Sequence, residues 1–146
     1  MTTRLAIFSD VHANLPAMGE VASHIRDNDY DGVYCLGDLG GYASEPNEAQ
    51  ELVQYLGCPT VLGNYDEGVG FDKDSCGYNY VKPFGIQMSD ASFFWTRDHT
   101  TDANKAWLRA LPHEIRLDVG NGACCSVTAR PPPRPSTCSR RARSLT

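Results

Sequence analysis

The feature that most constrains the fold of this chain of 146 residues is a set of three short apolar runs. Each run is followed within a few residues by an acidic or amide side chain. Asp10 follows the first run, Asp38 the second and Asn64 the third. Their lengths are those of buried strands, and the segments between them repeat apolar residues at helical spacing. The predicted strands cover residues 4–8, 32–36 and 59–62. Alternating strands and helices predict an α/β fold with a parallel sheet and right-handed crossovers.

The boundaries of the first two helices follow from residues that stabilise helix ends. Asn14 is a good N-cap, and Pro16 belongs in a first turn. The second helix is predicted over residues 45–56, with acidic residues in its first turn, where the helix dipole favours them. Further along, residues 67–89 are rich in Gly, Asp and Tyr and predict a long loop. Helices are expected at 89–98 and 102–111, and a strand begins within 114–119.

Polar side chains after the three strands predict a metal site. Asp10 and His12 are two residues apart, so in an extended chain they project to the same side. The carboxyl ends of parallel strands meet at one crevice, which would bring this pair close to Asp38 and Asn64. Carboxylate oxygen, amide oxygen and imidazole nitrogen suit hard or borderline divalent cations. A shared carboxylate could bridge two such ions about 3.5–4 Å apart.

Three motifs in order make the chain resemble the calcineurin-like metallophosphoesterases, and in particular a branch of small bacterial and archaeal phosphodiesterase-like members. They are Asp10-Val11-His12, Gly37-Asp38 and Gly63-Asn64-Tyr65-Asp66. The resemblance covers roughly residues 5–121 and implies an α/β sandwich of two sheets flanked by helices. It also implies hydrolysis of a small phosphorylated substrate, a phosphodiester more than a monoester, by a water between two divalent ions (Mn, Fe, Ni or Zn).

The resemblance also implies a role for each matching residue. Asp10 and His12 would hold the first ion, Asp38 would bridge both, and Asn64 would bind the second. Tyr65 stands where most members carry a histidine that contacts the substrate, and a phenol is a poor proton shuttle near neutral pH. We interpret Tyr65 as a catalytic-site residue, with an ordinary exposed aromatic as the alternative. Asp66 would orient this neighbouring position.

A change of composition divides the chain near residue 121. Residues 1–121 hold all 18 acidic residues and eight of the 13 basic ones, whereas residues 122–146 hold five arginines, four prolines and no acid. We predict a phosphoesterase segment over 1–121 and a disordered Arg/Pro-rich tail over 122–146. Nucleic-acid binding by these arginines is not expected, because the tail lacks aromatic residues and follows an acidic segment.

The tail also suggests a shifted reading frame. The family continues with an apolar strand, His-Gly-x-Pro and a later Gly-His-x-His, whereas His24, His99 and His113 lie in other contexts. Common codons for residues 124–131 permit Val-Leu-Leu-x-His-Gly-Ser-Pro in the displaced frame. We therefore expect a truncated domain with an incomplete second sheet and impaired activity. The alternative is a non-catalytic remnant or a module that binds metal or phosphate without turnover.

The composition also bears on membrane insertion, on export and on the state of the cysteines. No apolar run approaches the roughly 20 residues of a membrane helix, and the first residues do not form a signal peptide. A cytoplasmic location is the resulting expectation. The six cysteines lack the spacing of a zinc site and are predicted to be free thiols. The sequence leaves the oligomeric state open.

Overall fold

The computed structural model describes residues 3–77, 83–118 and 124–127. Within these residues the chain is a mixed α/β protein with two small sheets and five helices. The elements, in chain order, are β1 (Leu5–Phe8), α1 (Leu15–Arg26), β2 (Gly32–Cys35), α2 (Pro46–Leu56), α3 (Asn64–Gly70), α4 (Pro83–His99), α5 (Asp102–Arg109), β3 (Ile115–Asp118) and β4 (Cys124–Val127). None of the helices in the described residues is long and apolar enough to cross a membrane.

Strands β1 and β2 pair in parallel, as predicted, with Leu5 opposite Gly32 and Phe8 opposite Cys35. The third predicted strand, residues 59–62, is reduced to a single parallel bridge between Thr60 and Cys35. The reason lies in its hydrogen bonds. Pro59 has no N–H to donate to β2, and the N–H of Gly63, the next one after Val61 on the side of β2, donates to Oδ2 of Asp66 (3.0 Å) instead.

Helices α1 and α2 begin where the sequence predicts. The side chain of Asn14 accepts a hydrogen bond from the N–H of Ala17 (3.1 Å), and proline occupies the first turn of both helices. Helix α2 ends at Gly57, whose φ of 63° is the left-handed conformation that glycine adopts without steric cost. Both helices cross over between successive parallel segments, which confirms the predicted β-α-β-α order.

The predicted loop over residues 67–89 is wrong at both ends, since it includes most of α3 and the start of α4. Helix α3 escapes detection because Gly68 and Gly70 lower its intrinsic propensity. These glycines have a packing role instead. A Cβ on Gly68 would lie 2.6 Å from the ring of Phe93 in α4, and one on Gly70 would lie 3.0 Å from Leu108 in α5. The glycines therefore let three helices approach closely.

The core lies between the parallel sheet and the helices. Its buried side chains come from every element from α1 to α5 and from the segments after β1, β2 and α3. They are Val11, Met18, Cys35, Leu39, Ala49, Val53, Tyr65, Val69, Cys76, Phe93 and Leu108. Cysteines 35, 58 and 76 are free thiols, as predicted, and burial raises the pKa of the Cys35 thiol to about 12. The Cys35 thiol is therefore a neutral packing group.

The second sheet comprises β3 and β4, which pair antiparallel with Ile115 opposite Val127. Strand β4 means that residues 124–127 of the predicted disordered tail are ordered in a sheet. Residues 128–146 lie outside the described residues, as do 119–123. The division at residue 121 and the displaced reading frame therefore stay predictions.

Candidate metal centre

The loops after β1 and β2 run side by side beyond the ends of the strands. The N–H of Asp10 donates to the carbonyl of Gly37 (3.0 Å), and the N–H of His12 donates to the carbonyl of Asp38 (3.0 Å). The next bond joins Ala13 to Leu39 (2.7 Å). These bonds bring the first two motifs together at the carboxyl edge of the sheet, where the sequence places them.

Three of the four predicted metal ligands have left-handed backbone conformations. The φ angles are 55° at Asp10, 47° at His12 and 55° at Asp38. A non-glycine residue pays about 1–3 kcal/mol for a sparsely populated conformation, and such residues cluster at functional sites. The backbone hydrogen bonds between the two loops hold these conformations. The chain from Asp10 to His12 is therefore not extended, contrary to the prediction for this pair.

His12 is oriented as a metal-binding histidine would be. Its Nδ1 lies 2.8 Å from the carbonyl oxygen of Gly40, which can only accept a hydrogen bond. The proton of the neutral ring is therefore on Nδ1, and the lone pair is on Nε2. Nε2 lies 3.6 Å from Oδ1 of Asp10. Nε2 of His12 and Oδ1 of Asp10, the atoms with which these side chains would bind a cation, thus face each other.

Asp38 is held by backbone groups of the third motif. Its Oδ1 accepts a hydrogen bond from the N–H of Tyr65 (2.9 Å), and the N–H of Asn64 also supports the carboxylate. The side chain is almost buried, and burial raises its pKa above the ordinary value against these hydrogen bonds and the neighbouring His12. Gly63 has no space for a Cβ, which would collide with the backbone N and Oδ1 of Asp38. The motif glycine therefore permits this close approach.

Asn64 is anchored through its amide nitrogen. Nδ2 donates to the carbonyl of Cys76 (3.0 Å), so Oδ1 is the atom with which this side chain would bind a cation. Its own N–H supports Asp38, which places Asn64 beside that carboxylate.

Asp66 is completely buried and binds backbone rather than side chains. Oδ2 accepts hydrogen bonds from the N–H groups of Asp38 (2.8 Å) and Gly63 (3.0 Å), and Oδ1 accepts one from Leu39 (2.8 Å). Burial raises its pKa to about 6, opposed by these hydrogen bonds and reinforced by the charge of Asp38. Asp66 therefore ties the second motif to the third, and its role in orienting the neighbouring position stays a prediction.

Tyr65 lies beneath His12 and is completely buried, so the alternative of an exposed aromatic residue is wrong. Its ring meets that of His12 edge to face, with centroids 5.3 Å apart. Its hydroxyl lies 3.4 Å from Oγ of Ser89 in α4. Burial raises the pKa of the phenol above its ordinary value, so the group stays protonated at neutral pH. Its catalytic role stays a prediction.

Sequence reasoning did not single out Gly40, although its carbonyl fixes His12, nor Tyr42, whose ring meets that of His12 edge to face with centroids 4.6 Å apart. The consecutive glycines before Tyr42 were the available signal. The remaining histidines have other partners: His24 contacts the Tyr30 hydroxyl (2.9 Å), and His99 stacks on Trp95.

The donors fit a divalent cation in kind but form an incomplete shell. Asp10 and His12 supply one oxygen and one nitrogen, with Asp38 and Asn64 on the neighbouring loops. Within residues 3–77, 83–118 and 124–127, no three His, Cys, Asp or Glu side chains converge closely enough to hold a metal ion. The described residues therefore do not by themselves form a complete metal site.

Comparisons with known proteins identify relatives of this chain. The sequence is 35% identical over 115 residues to the uncharacterized protein MJ0912 of Methanocaldococcus jannaschii, covering 79% of this chain and 44% of that protein. A crystal structure of a metallophosphoesterase from Sphaerobacter thermophilus is similar with a TM-score of 0.58 and 31% identity, over 81% of this chain and 44% of that one. The chain thus spans less than half the length of these relatives.

The fold extends to more distant proteins. The hypothetical protein PH1004 from Pyrococcus horikoshii OT3 is similar with a TM-score of 0.66 at 18% identity, over 83% of this chain and 52% of that one. The sequence model of the calcineurin-like phosphoesterase superfamily domain matches residues 3–134, most of the chain. The fold class expected from the three motifs is therefore confirmed, and the chain belongs to the calcineurin-like phosphoesterase superfamily.

Proposed function

We propose that this chain forms the N-terminal part of a metal-dependent phosphoesterase that hydrolyses small phosphodiesters. The observation that carries the proposal is the arrangement of His12, with Nδ1 fixed by the Gly40 carbonyl and Nε2 facing Asp10 at 3.6 Å. A structural histidine would not need a strained backbone to present its lone pair to a half-exposed carboxylate. Superfamily membership supports the same reaction class.

Asp10 and His12 would hold a first divalent ion, Asp38 would contribute to both ions, and Oδ1 of Asn64 would serve a second. When bound, such ions supply positive charge to phosphate oxygens and lower the pKa of bound water. The protein's own contribution is positioning. The N–H groups of Asn64 and Tyr65 fix the Asp38 carboxylate, and Asp66 fixes the backbone on both sides of it. The neutral phenol of Tyr65 supports the His12 ring from below.

A metal- or phosphate-binding module without turnover is the second candidate. The incomplete donor shell in the described residues favours it for the chain as it stands. Such a module would keep measurable metal affinity through Asp10 and His12 and would release no product.

Metal binding and hydrolysis, measured separately, distinguish the candidates. Isothermal titration with Mn²⁺, Ni²⁺ or Zn²⁺ should give binding that His12→Ala weakens and that His24→Ala, on the exposed face of α1, leaves unchanged. Release of nitrophenol from bis(4-nitrophenyl) phosphate should depend on the metal and be lost in Asp38→Asn. Binding without turnover for Mn²⁺, Ni²⁺, Fe²⁺ and Zn²⁺ would favour the module, and equal binding by the two histidine variants would refute the metal centre.

A further inference from the structure

A groove of about 480 Å³ opens beside the candidate metal centre, between the loop after β2 and helix α4. Tyr42 and Ser44 line it from the loop, and Met88, Ser92 and Trp95 line it from the helix. This volume falls in the range of small-molecule sites, about 300–1,000 Å³. None of the lining side chains that the structure describes carries a formal charge. The groove therefore suits an uncharged group.

Tyr42 lies between the groove and the candidate metal centre, because it lines the groove and contacts His12. Its φ of 62° is an outlier for a bulky side chain, and its N–H donates to Oγ of Ser92 (2.6 Å), which holds the loop against α4. Its hydroxyl is hydrogen-bonded to that of Tyr65. The rings of Tyr42 and His12 meet edge to face, with centroids 4.6 Å apart, yet 52% of Tyr42 is exposed. The strained backbone thus presents an aromatic surface immediately beside a predicted metal ligand.

Trp95 provides the opposite wall and is also fixed in place. Its indole stacks on the ring of His99, with centroids 4.2 Å apart and an interplanar angle of 17°. Nδ1 of His99 is in turn bonded to the carbonyl of Trp95 (2.7 Å). The residue is still 40% exposed. Between the two walls lie Ala91 and Ser92, whose small side chains leave room for a flat group.

We propose that this groove binds an aromatic ring of the substrate's organic group, such as a nucleobase or an aryl ring. The inference rests on the proposed function, in which the phosphate lies at Asp10, His12 and Asp38. Because Tyr42 contacts His12, an ester substituent on that phosphate would extend along Tyr42 toward Trp95. Two fixed aromatic surfaces favour stacking with a ring at little cost in conformational entropy.

The lining chemistry argues against other substituents. An acyl chain would place the hydroxyl of Ser44 against hydrocarbon, which costs free energy. A charged headgroup would meet no opposite charge among the lining side chains that the structure describes. A heteroaromatic ring both stacks and offers polar edge atoms to Ser44 and Ser92.

Adenosine, ribose and choline serve as probes, because none requires a metal ion to bind. Isothermal titration into the 146-residue chain should detect adenosine binding and no ribose binding. Trp95→Ala should weaken adenosine binding about tenfold, the usual effect of losing one stacking partner. Ala91→Leu should weaken it similarly by filling the groove while keeping both aromatic walls. Tyr55→Ala is the matched control, since Tyr55 is 87% exposed on α2 and does not line the groove.

Equal binding of adenosine and ribose would overturn the proposal, as would tighter binding of choline than of adenosine. It would also be overturned if Trp95→Ala and Ala91→Leu, each folded by circular dichroism, bound adenosine like the parent chain. Failure of the groove is distinguishable from failure of the enzyme. Adenosine binding without hydrolysis of any diester would refute the proposed function and leave the groove proposal standing. Hydrolysis with a KM that Ala91→Leu does not change would refute the groove proposal and leave the proposed function standing.

Discussion

Asp66 is an ionisable group with no exposed surface, and its replacement by asparagine should change how the stability of the protein depends on pH. The folded protein raises the pKa of this carboxyl to about 6, and an unfolded chain returns it to about 3.9. The folded state therefore binds the proton more tightly than the unfolded state. The stability that protonation contributes is complete below about pH 4 and is lost as the pH rises through 6.

The size of the effect follows from these two values. Between pH 7 and pH 4.5, linkage predicts that the free energy of unfolding rises by about 2 kcal/mol through Asp66 alone. Asp66→Asn keeps the shape and cannot titrate, so it lacks this gain. At pH 7 it removes a buried charge, yet it places an NH₂ group where a carboxylate oxygen accepted a backbone N–H, at about 1–3 kcal/mol. The gain from removing the buried charge and the loss from the mismatched NH₂ group nearly cancel, so the variant should fold at pH 7.

Urea unfolding followed by the fluorescence of Trp95 and Trp107 measures the difference directly. The parent chain should gain about 2 kcal/mol relative to Asp66→Asn as the pH falls from 7 to 4.5. Asp74→Asn is the control, because Asp74 is fully exposed and its replacement should shift the whole curve by less than about 0.5 kcal/mol. Parallel curves for the parent chain and Asp66→Asn would refute the reasoning, since they would mean that Asp66 titrates alike in both states.

Two further predictions test the loops and the helices. Gly37→Ala should destabilise the protein by several kcal/mol, because φ is 86° and the new Cβ would lie 2.5 Å from the N of Gly63. Gly57→Ala should cost only about 1 kcal/mol, because φ is 63° but no atom lies within 4 Å of the new Cβ. Equal losses of stability in urea for the two variants would contradict the predicted collision. Asn14→Ala removes the cap of α1 and should cost about 1 kcal/mol, measured as a lower Tm, whereas an unchanged Tm would show that the bond to Ala17 does not stabilise the helix.

Local patterns in the sequence predicted much of the fold. The first two strands and the starts of α1 and α2 depend on short apolar runs, an N-cap and prolines, all of which act within one turn or one strand. Helix α3 could not be predicted in this way. Its glycines are unfavourable locally and are offset by contacts with Phe93 and Leu108, which lie 25 or more residues further along the chain. The third strand was over-predicted for a related reason, since the N–H of Gly63 bonds to the side chain of Asp66 rather than to β2.

The sequence by itself determined which donor groups follow which strands, because the order of Asp10, His12, Asp38 and Asn64 is a property of the chain. Only the tertiary structure decided the backbone conformation, the burial and the hydrogen bonds of these motifs. The left-handed backbones, the burial of Asp66 and the contact of His12 with Gly40 arise from hydrogen bonds between segments that are distant in sequence. Burial and the resulting pKa shifts are collective properties of packed elements, so no local pattern contains them. The groove beside Tyr42 exists for the same reason, because its two walls come from separate parts of the chain.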